Sequence, residues 1–337
     1  MIYHYFLSAN SAQGYIDLAP ARLSTLPHVI HTTGYPTSVL RAVEGAAITL
    51  AQAQNRRLDI VHRPLDGAVT GFILPETGRA VLDTPLWLDR SRHVDGLLQN
   101  DVRDGIHEAL DGAYTQSAAA LRVHDAWEAI YMQETDRTQL DTLAAAFCDR
   151  LTEGADADAT VGTRTDVFFG AGTPDGAVDY IACLTADVPH RYFLKGRPGT
   201  GKSTLLGKIA QAAQRAGWAV EVYHCSFDTN SLDMVVIRER GLCIFDSTAP
   251  HEYFPTRTGD EIIDLYAAAV RAGTDERHVA QLRMIAERYT VLKGRATEYL
   301  RQAHALACAL DAELEEQLSP TRTALAIEQL VDHLFAQ

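Results

Sequence analysis

One stretch of the sequence decides the expected fold: Gly196-Arg197-Pro198-Gly199-Thr200-Gly201-Lys202-Ser203-Thr204. It fits the pattern G-x-x-x-x-G-K-[ST] without a mismatch. Glycines at these spacings let consecutive backbone N–H groups turn towards one phosphate, because no Cβ atom blocks the approach. The lysine places its ammonium group against the β- and γ-phosphates, and the hydroxyl that follows can bind Mg²⁺. The stretch therefore predicts a phosphate-binding P-loop whose residues all bind the nucleotide, with Lys202 also catalytic and Ser203 a metal ligand.

The residues on either side of the loop have the pattern that a P-loop requires. Arg191–Lys195 is short, aromatic and apolar, as expected of a buried strand. Apolar residues at helical spacing follow the loop, and Gly217 stands where a glycine commonly ends a helix. These apolar residues are Leu205, Leu206, Ile209, Ala210, Ala213 and Ala216. Strand, loop and helix thus come in the required order.

Length and composition are typical of a globular chain with about two domains. The 337 residues are 47% hydrophobic and 22% charged, with a formal net charge of −14. This charge argues against a broad surface for nucleic acids or anionic membranes. No apolar run is long enough for a membrane span and no signal peptide is visible, so we expect a cytoplasmic protein. The five cysteines form no C-x-x-C pair and are predicted to be reduced core thiols.

The first 90 residues are predicted to be rich in strands. The predicted strands are Tyr3–Leu7, Tyr15–Leu18, His28–Thr32, Leu58–His62, Val69–Leu74 and Ala80–Leu82. Val39–Gln54 is helical in composition, and Arg92–Glu153 reads as almost continuous helix, with an apolar stripe that begins at Leu97 and Leu98. A polar stretch from Thr152 to Thr160 then predicts a linker.

After the linker the pattern of the first half recurs at an offset of 162 residues. Residues 6–66 align with 168–228 without a gap and share 13 identities in 61 positions, among them Gly34/Gly196 and Asp66/Asp228. Chance would give about four identities. We therefore predict an α/β protein of tandem P-loop NTPase-type repeats, each with three α/β/α layers, a largely parallel sheet and long helical extensions. The predicted boundaries are 1–151 for a degenerate repeat, 152–166 for the linker and 167–337 for the intact repeat.

The first repeat has lost the chemistry of the loop. Val39, Leu40 and Arg41 stand where the second repeat has Gly201, Lys202 and Ser203. One live nucleotide site is therefore expected. Few strands flank each loop, so we expect the repeats to pack together as an intramolecular pseudo-dimer. That arrangement would let Arg41 act in cis as an arginine finger at the live site.

Two aspartates are predicted to complete the site. Leu242–Asp246 is a hydrophobic strand that ends in an acid, which makes Asp246 the expected Walker B residue, a Mg²⁺ ligand and a catalytic group. Asp228 follows the buried strand Val220–Cys225 and is the third predicted catalytic residue, because ligands bind at the carboxyl ends of such strands. It would orient water, bind a second substrate or support the metal, and a solvated loop residue is the alternative. Asp233 has the same alternatives with a weaker placement.

The remaining polar residues near the motif are harder to assign. Arg197 and Arg257 are the candidate cations for the γ-phosphate, whereas His224 and His251 are expected to pack or to form hydrogen bonds. Thr258-Gly259-Asp260-Glu261 resembles a capping box and predicts a helix over Ile262–Ala272, and long antiparallel helices are expected over Asp275–Leu318. Ser247 follows Asp246 where many ATPases have a glutamate that activates water. The base for hydrolysis is therefore unassigned.

Several segments together resemble a poorly characterised bacterial family of tandem P-loop ATPase-like proteins. They read GRPGTGKST, EVYHC, SLDMVVI and FDSTAPHEYFP, and the resemblance is close from about Phe168 to Leu265. It implies two P-loop halves, often with both loops intact, and an ATPase activity. The degraded first loop of this chain departs from that pattern and argues against a mechanism with two cooperating sites.

Three functions are compatible with these motifs. The favoured one is Mg²⁺-dependent ATP hydrolysis at one site, coupled to the helical extensions or to an unidentified protein or small-molecule partner. The second is a phosphotransferase that acts on a small molecule or nucleotide, with Asp228 as its base. The third is an ATP sensor with little turnover. No guanine-specificity motif of the form Asn/Thr-Lys-x-Asp is present, which disfavours a GTPase.

Overall fold

Eleven strands form one sheet that runs through both halves of the chain. The structure is a computed structural model and describes residues 1–88, 97–156 and 159–336. The first half contains β1 Ile2–Phe6, β2 Ser8–Ser11, β3 Gly14–Asp17, α1 Ala19–Leu23, β4 His28–Thr33, α2 Thr37–Ala53, β5 Leu58–His62, β6 Val69–Leu74, β7 Arg79–Thr84, α3 Leu97–Glu134 and α4 Arg137–Thr152.

The second half repeats this order and, compared with the described residues of the first half, has an additional strand and two additional short helices between its last shared strand and its long helix. It contains β8 Arg164–Phe168, β9 Gly170–Thr173, β10 Gly176–Asp179, α5 Ile181–Leu184, β11 His190–Lys195, α6 Lys202–Arg215, β12 Val220–His224, β13 Leu232–Ile237, β14 Leu242–Asp246, β15 Asp260–Asp264, α7 Leu265–Ala269, α8 Thr274–Arg277, α9 Val279–Glu316 and α10 Pro320–Phe335. Equivalent strands, from β1 and β8 to β7 and β14, are 162 or 163 residues apart in sequence.

The strand order is β15-β11-β14-β13-β12-β8-β1-β5-β6-β7-β4. The halves meet where β1 pairs antiparallel with β8, with Phe6 opposite Phe168. Within each half only β6 or β13 opposes its neighbours, and the other strands share one direction. The expected α/β class is therefore present, with one large and mostly parallel sheet in which the two halves run in opposite directions.

The helical extensions are exchanged between the halves. Helix α4 of the first half packs on α6 of the second, where Phe147 and Leu151 join a core that includes Ile209. Helix α10 of the second half packs on α2 of the first, where Leu330 and Leu334 join Val43 and Ala47. Each half thus contributes its last helix to cover α2 or α6 of the other half.

Helices α3 and α9 pack side by side along their lengths, and we call this pair the arm. Gly105 lies against Leu306 and Gly112 against Tyr299, so the two helices run antiparallel. The arm agrees with the helices that the sequence predicts for Arg92–Glu153 and Asp275–Leu318. The predicted helix begins at Arg92, and its residues 92–96 lie outside the described part of the chain.

The structure corrects the helix predicted over Ile262–Ala272. Asp260–Asp264 is a strand that pairs in parallel with β11, and only Leu265–Ala269 is helical after it. The carboxylate of Asp260 accepts two hydrogen bonds from Arg191, at 2.8 and 2.6 Å, which hold the strand at the sheet edge. The helix cap is Asp264, which accepts from the N–H of Ala267 at 3.0 Å.

The predicted linker is also too long. Strand β8 begins at Arg164, so the final residues of the predicted segment 152–166 belong to the sheet. Pairing with β12 places Thr165 opposite Glu221 and Asp166 opposite Val222. The first three residues of this strand, Arg164, Thr165 and Asp166, are polar and exposed or half-buried, so its composition resembles that of a linker.

Candidate phosphate-binding site

The residues from Gly196 to Gly201 form a turn between β11 and α6. Gly199 and Gly201 adopt φ values of 77° and 91°, which a side chain would strain, so the turn requires glycine at both positions. The hydroxyl of Thr200 donates to the carbonyl of Arg197 at 2.8 Å and closes the turn. The turn leads directly into the first residues of α6, as the sequence pattern predicts.

Several backbone N–H groups of this turn and of the start of α6 lack acceptors among the described residues, although that of Thr200 donates to the carbonyl of Arg197. Within residues 1–88, 97–156 and 159–336, those of Gly199, Gly201, Lys202, Ser203 and Thr204 donate to no protein atom. Helix starts leave some N–H groups free in any protein, but here two glycines of the loop add to them. A concentrated set of unpaired donors at the positive end of a helix is suited to an anion.

The predicted acid lies next to the loop lysine. Strand β14 pairs in parallel with β11, and Asp246 is in register with Leu194 at the end of both strands. The ammonium of Lys202 lies 3.6 Å from a carboxylate oxygen of Asp246 and donates to the carbonyls of Gly196 and Arg197 at 3.2 and 3.0 Å. The other oxygen of Asp246 accepts from the N–H and hydroxyl of Thr248. The fold therefore brings Lys202 and Asp246 together.

Ser203 and Asp233 lie at the same end of the sheet. The hydroxyl of Ser203 accepts a hydrogen bond from the N–H of Leu232 at 2.9 Å. Asp233 is the next residue of β13 and lies one position beyond the pair Met234/Phe245, beside Asp246. Burial first, and then the charge of Asp246, raise the pKa of Asp233 to about 7. Asp233 lies beside Asp246 because β13 pairs antiparallel with β14. The sequence alone did not indicate that these two aspartates are neighbours.

Asp228 is engaged in holding its own loop. One of its oxygens accepts from the side chain of Gln13 at 2.7 Å and from the N–H of Asn230 at 3.3 Å. Its other oxygen accepts from the hydroxyl of Ser231 at 2.9 Å. Because Gln13 belongs to the first half, this carboxylate also joins the two halves. These contacts favour a structural role over that of a free base.

The two candidate arginines point away from the loop donors. Arg197 forms an ion pair with Asp275 at 2.7 Å. Arg257 donates to the carbonyls of Thr185, Ala186 and Val188 at 2.6–2.9 Å. Since Val188 lies just before the start of β11, Arg257 is at the opposite end of that strand from the P-loop. Its assignment as a cation for the γ-phosphate is therefore wrong.

The histidines near the motif form hydrogen bonds, as expected. His251 lies 2.8 Å from Asp179, and His224 lies 2.7 Å from Asp166. Burial acts to raise the pKa of Asp166, but the hydrogen bonds from His224 and Arg164 outweigh it and lower that pKa to about 2.

The equivalent turn in the first half is filled by protein groups. Val39 and Leu40 are buried, and the N–H groups of both donate to the carbonyl of Pro36. The N–H of Thr37 donates to the carboxylate of Asp311, which extends from α9, at 3.0 Å. Helix α2 thus begins against an anion supplied by the chain itself.

The aspartate equivalent to Asp246 is buried in the first half. Asp83 accepts from the hydroxyl of Thr32 at 2.7 Å and from the N–H of Tyr35 at 3.3 Å. Burial raises its pKa to about 6, although these hydrogen bonds act in the opposite direction. The carboxyl group is therefore buried and held by donors of the protein itself, unlike the half-buried Asp246.

Arg41 cannot reach the loop of the second half. It follows β4 at one edge of the sheet, and β11 is nine strand positions away. At about 4.8 Å per strand this separation is roughly 43 Å along the sheet. The halves also run in opposite directions, so the carboxyl ends of β4 and β11 face opposite ways. The arginine finger expected in cis is therefore wrong.

Helices α3 and α4 of the first half lie against this loop, where Arg41 does not reach. A Cβ atom on Gly199 would overlap the carbonyl oxygen of Glu128 on α3. A Cβ atom on Gly201 would lie 2.8 Å from the side chain of Leu140 on α4. Sequence reasoning missed this approach, because the loop and α3 are about 70 residues apart and no local pattern couples them.

Comparison of the chain with protein-family models, curated proteins and solved structures finds no match. Within the described part of the chain, none of the helices has the length and apolarity needed to cross a membrane.

Proposed function

We propose that the second half binds Mg²⁺–ATP at Gly196–Thr204 and hydrolyses it, in a P-loop NTPase-type repeat whose partner repeat has become a scaffold. One observation carries the proposal: among the described residues, the N–H groups of Gly199, Gly201 and Lys202 have no acceptor. The equivalent N–H groups of the first half, those of Thr37, Val39 and Leu40, have acceptors. The same order of elements therefore leaves more of these donors free in the half where the sequence has kept the lysine and the serine.

The side chains around the loop fit a magnesium ion. Ser203, Asp246 and Asp233 offer hydroxyl and carboxylate oxygens, the hard ligands that Mg²⁺ prefers. When bound, the ion would neutralise charge on the β- and γ-phosphates. Lys202 would exchange its contacts with the loop carbonyls for phosphate oxygens, which are stronger partners because they are charged.

The phosphotransferase alternative has less support. It depends on Asp228 as a base for an acceptor hydroxyl, and both oxygens of that carboxylate are already hydrogen-bonded. The sensor alternative would differ from an ATPase only in turnover. Release of ADP without any acceptor therefore separates the favoured function from both alternatives.

The test combines binding and turnover. Thermal unfolding is measured over a panel of nucleotides with and without Mg²⁺, together with phosphate release. ATP at 100 times its Kd should stabilise the wild type by about 2.7 kcal/mol. Lys202→Ala should lose this stabilisation. Leu40→Met, a volume-conserving change at the equivalent buried position, should keep it. Equal ATP binding by wild type and Lys202→Ala would refute the site.

A further inference from the structure

Helix α3 of the first half lies directly on the P-loop of the second. The Cβ position of Gly199 would be 2.8 Å from the Cα of Glu128, so the two backbones are in van der Waals contact. A glutamate side chain extends about 4 Å from its Cα to the carboxylate. The carboxylate of Glu128 is therefore within reach of the region that the free N–H groups of the loop surround.

The neighbouring turn of α3 faces the same site. His124 lies one turn before Glu128, with 3.8 Å between its Nδ1 and a carboxylate oxygen of Glu128. Its ring packs edge-on against Phe227, which follows β12, at 6.3 Å between centroids. The charges of Lys202 and Asp228 both act on this imidazole. The face of α3 that carries His124 and Glu128 therefore lies next to the loop and to the carboxyl end of β12.

Three of the other carboxylates around the loop are engaged, and a fourth, Asp233, is the candidate metal ligand beside Asp246. Asp246 is held by Lys202 and Thr248, and both oxygens of Asp228 accept hydrogen bonds. Asp275 accepts hydrogen bonds from Arg197, Tyr131 and Tyr266.

Ser247, at the position where many ATPases have glutamate, is fully buried, and its hydroxyl donates to the carbonyl of Tyr253 at 2.7 Å. By contrast, the carboxylate of Glu128 accepts no hydrogen bond within the described ranges, and its side chain is 36% exposed.

We propose that Glu128 is the catalytic base of this site, so that the first half supplies a catalytic residue to the second through α3. This inference rests on the proposed hydrolysis of ATP. The carboxylate accepts a hydrogen bond from a water molecule and orients its oxygen towards the γ-phosphorus. A bond forms between that oxygen and phosphorus, and the bond to the bridging oxygen breaks, with the electron pair leaving on ADP. The proton of the water passes to Glu128 and then to solvent.

Hydrolysis then depends on the position of α3 relative to the loop. The ligands of the phosphates are on the loop and the sheet, whereas the base is on α3. Displacement of α3 from Gly199 would leave ATP bound and uncleaved.

The test compares Glu128→Gln with Glu108→Gln, which removes an exposed charge from the same helix about 30 Å away. We measure phosphate release and the thermal shift with Mg²⁺–ATP. Glu128→Gln should lower kcat by at least 100-fold and keep the thermal shift, because general bases contribute about 10²- to 10⁴-fold. Glu108→Gln should match the wild type in both measurements.

The outcomes separate this inference from the proposed function. An active wild type with equally active Glu128→Gln overturns the role of Glu128 and leaves the ATPase intact. Loss of turnover in His124→Asn with full turnover in Glu128→Gln also overturns it, since the imidazole would then be the base. A wild type that binds ATP without releasing ADP overturns the ATPase itself. Thermal unfolding without nucleotide shows whether each variant is folded.

Discussion

Lys202 and Leu40 occupy equivalent positions in the two halves, and their surroundings differ in charge as well as in polarity. Lys202 faces carbonyls and Asp246, all of which attract its ammonium. Leu40 is 3% exposed, and the helix start beside it already holds the carboxylate of Asp311. A phosphate at the first-half turn would meet this like charge, so restoring a lysine at position 40 would not by itself restore a site.

The equivalent aspartates give the first prediction. Asp246→Asn should raise the Mg²⁺ concentration needed for half-maximal turnover by about tenfold or more, because a divalent ion loses a charged ligand. Asp83→Asn should leave this concentration unchanged, because Asp83 lies in the first half, far along the sheet from the loop, and asparagine can accept the same hydrogen bonds. Magnesium titrations of ATP turnover check both variants, and equal effects would contradict the assignment of Asp246.

His62 gives a prediction about pH. It is 5% exposed, and burial is the main cause that lowers its pKa from 6.5 to about 4. Between pH 6.5 and about pH 4, His62 is therefore protonated in the unfolded chain and neutral in the folded chain. Stability should fall over this window, by up to about 3 kcal/mol from this residue. Urea unfolding at pH 7, 6 and 5 measures the slope.

The control for this prediction is His31→Asn at an exposed position, which should keep the wild-type slope. His62→Phe removes the proton-binding group, so its stability should depend less on pH over the same range, even if it is lower at pH 7. A wild-type free energy of unfolding that is constant from pH 7 to pH 5 would contradict the prediction.

At the scale of elements, the arm provides a matched pair of glycine substitutions. Gly294 on α9 has no atom within 4 Å of its Cβ position, so Gly294→Ala should stabilise the protein by about 0.5–1 kcal/mol through helix propensity. A Cβ on Gly112 of α3 would lie 2.6 Å from the ring of Tyr299. Gly112→Ala should therefore destabilise by about 1–3 kcal/mol. Thermal unfolding checks the pair, and a shift of the same sign in both would refute the close packing of α3 on α9.

Elements specified by local pattern were predictable, and those specified by distant pairing were not. Leu58–His62 and Val69–Leu74 are buried strands with the predicted boundaries, and the turn before α6 follows from its glycines. Strand β15 resembled a helix start in sequence, because its acids suit a cap. It is a strand because it pairs with β11 and because its Asp260 forms an ion pair with Arg191. The contact of Glu128 with Gly199 likewise depends on how α3 packs against the second half, which no local pattern in the sequence indicates.

At the scale of the whole molecule, a charged cluster joins the halves at the amino end of β1. Arg238 donates to both oxygens of Glu221 at 2.8 Å and to the hydroxyl of Tyr3 at 3.0 Å. Arg57 of the first half also reaches Glu221, at 3.1 Å. Together with the pairing of β1 and β8, this cluster makes the halves one cooperative unit.

Arg238→Met should therefore cost about 2–4 kcal/mol, somewhat less than a buried ion pair broken without compensation, because Arg57 still faces Glu221. Arg283→Met, which removes an exposed arginine of α9, should cost less than 1 kcal/mol. Unfolding in guanidinium chloride should show one transition by circular dichroism and by tryptophan fluorescence. Two separate transitions in the wild type would contradict a shared sheet.

The exchanged helices have a consequence for synthesis on the ribosome. The apolar face of α2 is complete by Ala53, but α10, which covers it, begins only at Pro320. At about 5–20 residues per second, the chain needs roughly 13–50 s to bridge that gap. During this time α2 can pack on β5 and β6, but Val43 and Ala47 lack their contacts with Leu330 and Leu334 of α10. The nascent first half must therefore be kept from aggregating, and a chaperone that binds exposed apolar helices would meet α2 before α10 does.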